Sequence, residues 1–188
     1  RQMTEATWRK YMADFMEEVR RRLPHIEIVH NAVWFAPSGP EVDRQIRAAD
    51  VIELERGIND GGLTGGDGFW SLRNLLRYID RVHQLGANVV LESDVDSVAE
   101  REYGLAGYFL ISDGGDGIGN DKGGRPDDWW VGYDTELGAP HGPRYEWHGL
   151  IRRDFERGTV LLNPPDSPAR TVDVGSGHRR VDGTAVPR

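Results

Sequence analysis

The chain has 188 residues, enough for one domain with a proper core, and its 23 Lys and Arg against 31 Asp and Glu leave a net charge of −8. That acidic balance repels polyanions and argues against a nucleic-acid partner, and no apolar run approaches the ~18 residues that a membrane span needs. Cysteine is absent, which excludes disulfides and thiolate metal sites but leaves the compartment open.

Taken in chain order, Thr4 is placed to cap a helix whose apolar residues Trp8, Tyr11, Met12, Phe15, Val19 and Leu23 recur at helical spacing, with Pro24 closing it. No signal-peptide pattern precedes that helix, so the chain reads as part of something longer. The run "IEIVHNAVWF" predicts a strand that ends in polar Asn31, followed by Trp34 and Phe35. A short helix from Pro40 to Ala49 leads to a second strand, Val51 to Glu55. After the loop "GGLTGGDGFW", Asp67 is expected to cap a helix with a stripe of Leu72, Leu75, Leu76, Ile79, Val82 and Leu85, ended by Gly86. "NVVLESD" predicts a third strand, Ser97 to Leu105 a helix weakened by Gly104, and "YFLISDGGD" a fourth strand.

Strands alternating with helices predict an α/β fold of parallel βα units. From Asp127 the chain turns aromatic and loop-rich. A brief helix is expected over Leu150 to Arg157, then three short antiparallel strands near Thr159–Leu162, Arg170–Val174 and Arg179–Val181. This divides the chain into an α/β domain over 1–157 and a small β appendage over 158–188.

Ligands of parallel α/β folds collect at the carboxyl ends of the strands, and here all four predicted ends are polar: Asn31, Glu55, the pair Glu92 and Asp94, and Asp113 with Asp116 just beyond. Paired carboxylates suit glycoside hydrolysis, in which one protonates the leaving oxygen while the other attacks or activates water. Glu55, Glu92 and Asp113 are the catalytic candidates. Asn31, Trp34, Asp94, Asp116, Trp129 and Trp130 are the candidates for holding a carbohydrate. The competing structural reading is that such residues cap turns after strands. Glu53, one layer deeper than Glu55, reads as the buried partner of a basic group such as Arg56. Among the other aromatics, Trp70 opens an amphipathic helix and is expected to pack, while Phe35, Tyr133 and Trp147 offer further flat faces.

Other chemistries find less support. The glycine-rich loop before the third helix lacks the Lys-Ser/Thr of a phosphate cradle, and Asp67 would repel an anion there. "DGGDGIGND" lacks the alternating acids of a calcium loop, and the six His include no pair at i, i+4. No metal or cofactor is expected.

The segments "VHNAVWF", "DVIELERGINDGGLTGG", "VVLESD", "YFLISDGGDGIGND", "WWVGYDTELGAP" and "RRDFERGTVLLNPP" together resemble the hypothetical glycosyl hydrolase family 15, whose members are glycosidase-like (β/α)8 barrels. The resemblance covers most of the chain. It implies that the strands are strands five to eight of a TIM-type barrel, that the acid/base sits at the end of strand six, at Glu55, and that the nucleophile of strand four lies before Arg1. It also implies a missing N-terminal half-barrel in the parent chain and an extracellular setting. A non-catalytic carbohydrate-binding domain is the alternative from another class, and a small α/β domain binding a phosphate ligand is a third.

Overall fold

The computed structural model describes residues 3–35, 39–55, 57–93, 95–120 and 129–186. Helix α1 (Glu5–Arg22) begins where Thr4 accepts the Thr7 N–H at 3.2 Å, and α2 is Pro40–Ala48. The two pack together through Arg44 of α2, which pairs with Asp14 and Glu17 of α1 at 2.6 Å. Strand β1 (Val29–Asn31) precedes α2, and β2 (Val51–Leu54) follows it. Helix α3 (Leu72–Gln84) is capped by Ser71 rather than Asp67, because Ser71 Oγ accepts the Asn74 N–H at 3.1 Å. Asp67 instead pairs with Arg73 and Arg77. Gly86, with φ +87, closes the helix as expected.

Strand β3 (Asn88–Ser93) leads into α4 (Val98–Ile111), opened by a capping box between Ser97 and Glu100. This helix is longer than the sequence suggests. Tyr108 to Ile111, expected in a fourth strand, form its last turn, and the fourth strand, β4, is Gly117–Asn120. Gly104 and Gly107 are not weak points. A Cβ on Gly107 would lie 2.8–2.9 Å from Ile58, and one on Gly104 would lie 2.8 Å from Ser93 Oγ, so the glycines let α4 approach the sheet closely. Burial of Leu105, Leu110 and Ile111 then favours helix over the β-branched local preference.

The four strands form one parallel sheet in the order β1-β2-β3-β4. Sequential order combined with right-handed crossovers carries α2, α3 and α4 to a single face. The burial pattern agrees. Ile52, Leu54, Val89 and Leu91 are buried, joining Ile46, Leu75, Ile79 and Val82 in the core, whereas Val51, Glu53, Val90 and Glu92 are only half-buried. Val51 to Glu55 is therefore not a strand buried on both faces, and its carboxylates lie on the wetter one.

A separate antiparallel sheet comprises β5 (Tyr145–Trp147), β6 (Leu150–Phe155) and β7 (Gly158–Leu162). Residues 150–155 are strand, not helix. His148 and Gly149 both have positive φ, 49° and 76°, which makes the tight turn pairing β5 with β6, and ladder bonds on both sides override helix propensity. The turn between β6 and β7 falls at residues 156–157, so the antiparallel unit begins upstream of 158. Residues 170–174 form no strand, and 179 makes only an isolated bridge to 185.

Two arginines fasten this sheet to the helices. Arg153, 8% exposed, donates to the carbonyls of Phe109 (2.9 Å), Ser112 (2.7 Å) and Gly142 (3.1 Å), and so caps the carboxyl end of α4. Arg144 bonds Asp80 at 2.7 Å and the Leu76 carbonyl at 3.2 Å on α3. Phe155 adds an edge-to-face contact with Phe109, centroids 5.8 Å apart.

Candidate functional site

Parallel strands deliver Asn31 and Glu55 to the same rim. Asn31 is the last residue of β1, and Glu55 is the first residue after β2. Asn31 Nδ2 donates to Glu55 Oε1 at 2.8 Å, and both side chains are exposed. The local cause is register. Asn31 lies opposite Glu53, so residues of that parity on β1, β2 and β3 share the face turned away from the helices. His30, of the other parity, instead reaches Gln45 of α2 at 3.1 Å.

Extending the β2–β3 register one residue past Leu54 and Leu91 sets Glu55 beside Glu92. Glu53 lies one layer below, next to Val90, and the neighbouring positions of β4 are Gly117 and Gly119. Toward the rim this face thus carries three glutamates and Asn31, with Asn88 at its lower edge and glycines alongside that leave room. Gly57, at φ +58, holds the turn after β2 against β3. A Cβ there would collide with the Glu92 carbonyl, so this glycine fixes how closely the two carboxylate-bearing strand ends approach.

Rings from the loops after β1 and β2 meet one another. Trp34 and Phe35 leave β1, and Trp70 ends the loop after β2. Phe35 stacks on Trp70 with centroids 4.0 Å apart and planes 20° off parallel, and Trp34 meets both edge-on at 5.8 and 5.6 Å. Trp34 packs against the core, whereas Trp70 is 48% exposed. Trp129 and Trp130, downstream of β4, both meet Tyr133 edge-on, at 5.6 and 5.5 Å. One face of Trp147 is covered by Arg152, whose guanidinium lies 4.6 Å from the ring centroid.

Two of the sequence candidates go elsewhere. Because β4 begins at Gly117, Asp113 and Asp116 precede that strand and lie at the amino ends of the sheet, opposite the Glu55 rim. The side chain of Asp116 is 0% exposed, and its Oδ1 accepts from Val89 N–H at 2.8 Å and meets His83 Nε2 at 2.9 Å. Burial pushes the Asp116 carboxyl upward, but His83 and the Val89 amide outweigh it and hold the group below the usual range. The hydrogen bond to Asp116, helped by Asp113 and Asp80, raises the His83 imidazole. These carboxylates belong to the sheet's foundations, not to the rim. Asp94 and Arg56 lie outside the described residues.

No family model and no curated protein matches the chain.

Among the described residues no group of three or more His, Asp or Glu is arranged to hold a metal, and no helix is long and apolar enough to cross a membrane. Cavities are present away from the rim. One of about 400 Å³ lies between α3 and the antiparallel sheet, with Arg73, Arg77 and Arg144 in its wall, and another of about 560 Å³ lies between α4 and β7. The arginines of the first are engaged by Asp67, Glu146 and Asp80, which leaves little for an anion. Two amides of the glycine-rich loop are engaged within the protein. Gly65 donates to Asp166 at 2.9 Å and Thr64 to the Trp70 carbonyl at 3.0 Å, so the loop is not a phosphate cradle.

What the rim can do chemically follows from its composition. A carboxyl at Glu55 can exchange a proton with a bound hydroxyl or ether oxygen, Asn31 fixes its orientation, and Glu92 supplies a second carboxylate one strand away. Trp70 packs, as its place at a helix start suggests, but its partners are Phe35 and Trp34, 35 and 36 residues upstream, for which the sequence carries no local signal.

Proposed function

We propose that the chain is the second half, strands five to eight, of a glycosidase-type (β/α)8 barrel, and that it takes part in hydrolysing a glycosidic bond of an oligo- or polysaccharide. The observation that carries this reading is the Asn31–Glu55 hydrogen bond at the carboxyl ends of adjacent parallel strands, on the face turned from the helices. A half-barrel accounts for that face. Strands in sequential order with helices on one side are the repeat from which such barrels close, and the half-buried Val51 and Val90 and the 57% exposed Val29 would be lumen residues once closed. The remaining half would come from the parent chain.

In this mechanism Glu55 is the acid, giving a proton to the glycosidic oxygen as that oxygen's bond to the anomeric carbon breaks. In a retaining course a carboxylate attacks that carbon to form a glycosyl ester, and water then displaces the carboxylate from the carbon while giving its proton to the ionised Glu55; in an inverting course water attacks directly and its proton goes to the second carboxylate. Asn31 positions Glu55. Glu92, beside Glu55 in the extended β2–β3 register, is the candidate for the second carboxylate.

The test is Glu55→Gln in the natural protein, assayed on neutral polysaccharides. Loss of about 10²–10⁴-fold in kcat with unchanged secondary structure is expected; retained hydrolysis removes Glu55 from the role. A second reading, carbohydrate binding without cleavage, is favoured by the exposure of Glu55 on an open rim away from both cavities. It predicts that the wild-type protein binds glycans and cleaves none.

A further inference from the structure

We propose that Trp70, braced by Phe35 and Trp34, is the platform on which this site binds a sugar ring, and that the ring is a neutral pyranosyl residue rather than an acidic one. This rests on the carbohydrate reading of the rim and deepens it.

The three rings come from two loops, one leaving β1 just after Asn31 and one leaving β2 just after Glu55. Trp34 is three residues beyond Asn31, a chain span of at most ~10 Å. The cluster thus leaves the sheet at the same end as the hydrogen-bonded Asn31–Glu55 pair.

Within the cluster the rings have different duties. Trp34 is partly buried against the core and anchors the group. Phe35 covers one face of Trp70 at 4.0 Å, and Trp34 meets it edge-on at 5.6 Å. Trp70 nevertheless stays 48% exposed, so about half of its surface is open to solvent. A large aromatic ring fixed in orientation loses little entropy on binding.

The occupant must match both halves of the rim. It needs a flat apolar face for Trp70 and hydroxyl groups for Asn31 and Glu55, which is the chemistry of a pyranose with equatorial hydroxyls and axial C–H bonds. Charge narrows the class. Glu53, Glu55 and Glu92 share the face, and the whole chain is at −8, so a uronate would meet repulsion. Arg73, close to Trp70 in sequence, is already bound to Asp67 and Glu146.

Isothermal titration of Glu55→Gln protein with cellohexaose, maltohexaose and hexagalacturonate tests the proposal, with Trp70→Ala, Trp70→Phe and, as a distant control, Trp8→Ala in the same background. One neutral hexasaccharide should bind, Trp70→Ala should weaken it by about tenfold or more, Trp70→Phe should retain part of the affinity, and Trp8→Ala should change nothing. Circular dichroism confirms that each variant is folded. Unchanged affinity in Trp70→Ala, tighter binding of hexagalacturonate, or failure of both neutral sugars to bind would overturn it. The catalytic reading fails separately: if Glu55→Gln still hydrolyses glycan while Trp70→Ala loses affinity, the platform stands without Glu55 as the acid.

Discussion

Asn31 donates a hydrogen bond to Glu55 across two parallel strands, 24 residues apart in sequence and 2.8 Å apart in space. The contact fixes one carboxylate oxygen of Glu55. Asn31→Ala should therefore lower kcat by about tenfold, less than Glu55→Gln, with KM changed less. Steady-state kinetics of the two variants check the order, and equal losses would mean that Asn31 touches the reacting bond itself.

Gly57 predicts a coupling between backbone and site. Its φ of +58 and the Glu92 carbonyl beside it leave no place for a Cβ. Gly57→Ala should destabilise the fold by about 1–3 kcal/mol and displace the end of β3 that carries Glu92. A lowered urea midpoint together with reduced activity is the expected result, and a neutral substitution would show that the turn relaxes freely.

The His83–Asp116 pair predicts a pH dependence of stability. His83 is raised by its bond to Asp116, so its contribution is complete below its ordinary value of 6.5 and is lost as pH rises through the raised folded value. Asp116 is lowered, so its contribution is complete above its ordinary 3.8 and is lost as pH falls through the depressed folded value. The pair is fully stabilising between about pH 4 and 6.5. Urea midpoints should decline from pH 6.5 towards pH 9, and His83→Gln should flatten that decline.

Arg153 predicts how firmly the antiparallel sheet is held. Its side chain satisfies three carbonyls, two of them at the end of α4. Burial lowers its pKa, Arg144 adds to this, and Asp113 and Asp116 oppose it, yet a guanidinium stays charged. Arg153→Leu strands those carbonyls and should cost about 3 kcal/mol. Proteolysis of the variant should cut first within 140–162, and uniform resistance would deny the clamp.

The periodic helices were legible because their signals are local. Thr4 caps α1, the leucine stripe of α3 repeats at helical spacing, and Gly86 ends it, each within a few residues. Parallel pairing of strands separated by helices followed from chain order. Two segments were misread for one reason. Tyr108 to Ile111 and Leu150 to Phe155 are short apolar runs in which helix and strand look alike, and partners distant in sequence chose between them: Ile58 and Ser93 beneath the glycines of α4, and the β5 and β7 ladders around β6.

The candidate site divided along the same line. Asn31, Glu55 and Glu92 could be named from the polar ends of predicted strands, since alternation along a strand is encoded residue by residue. Asp113 and Asp116 went to the opposite end of the sheet once β4 began at Gly117 instead of at Tyr108. By itself the sequence determined the acidic, cysteine-free α/β chain, the parallel order of its units and the parity that sets Asn31, Glu53 and Glu55 on one face. Only the tertiary structure decided that Asn31 bonds Glu55, that Phe35 stacks on Trp70 and that Asp116 is spent on His83, because each joins residues more than 20 positions apart, where no local pattern reaches.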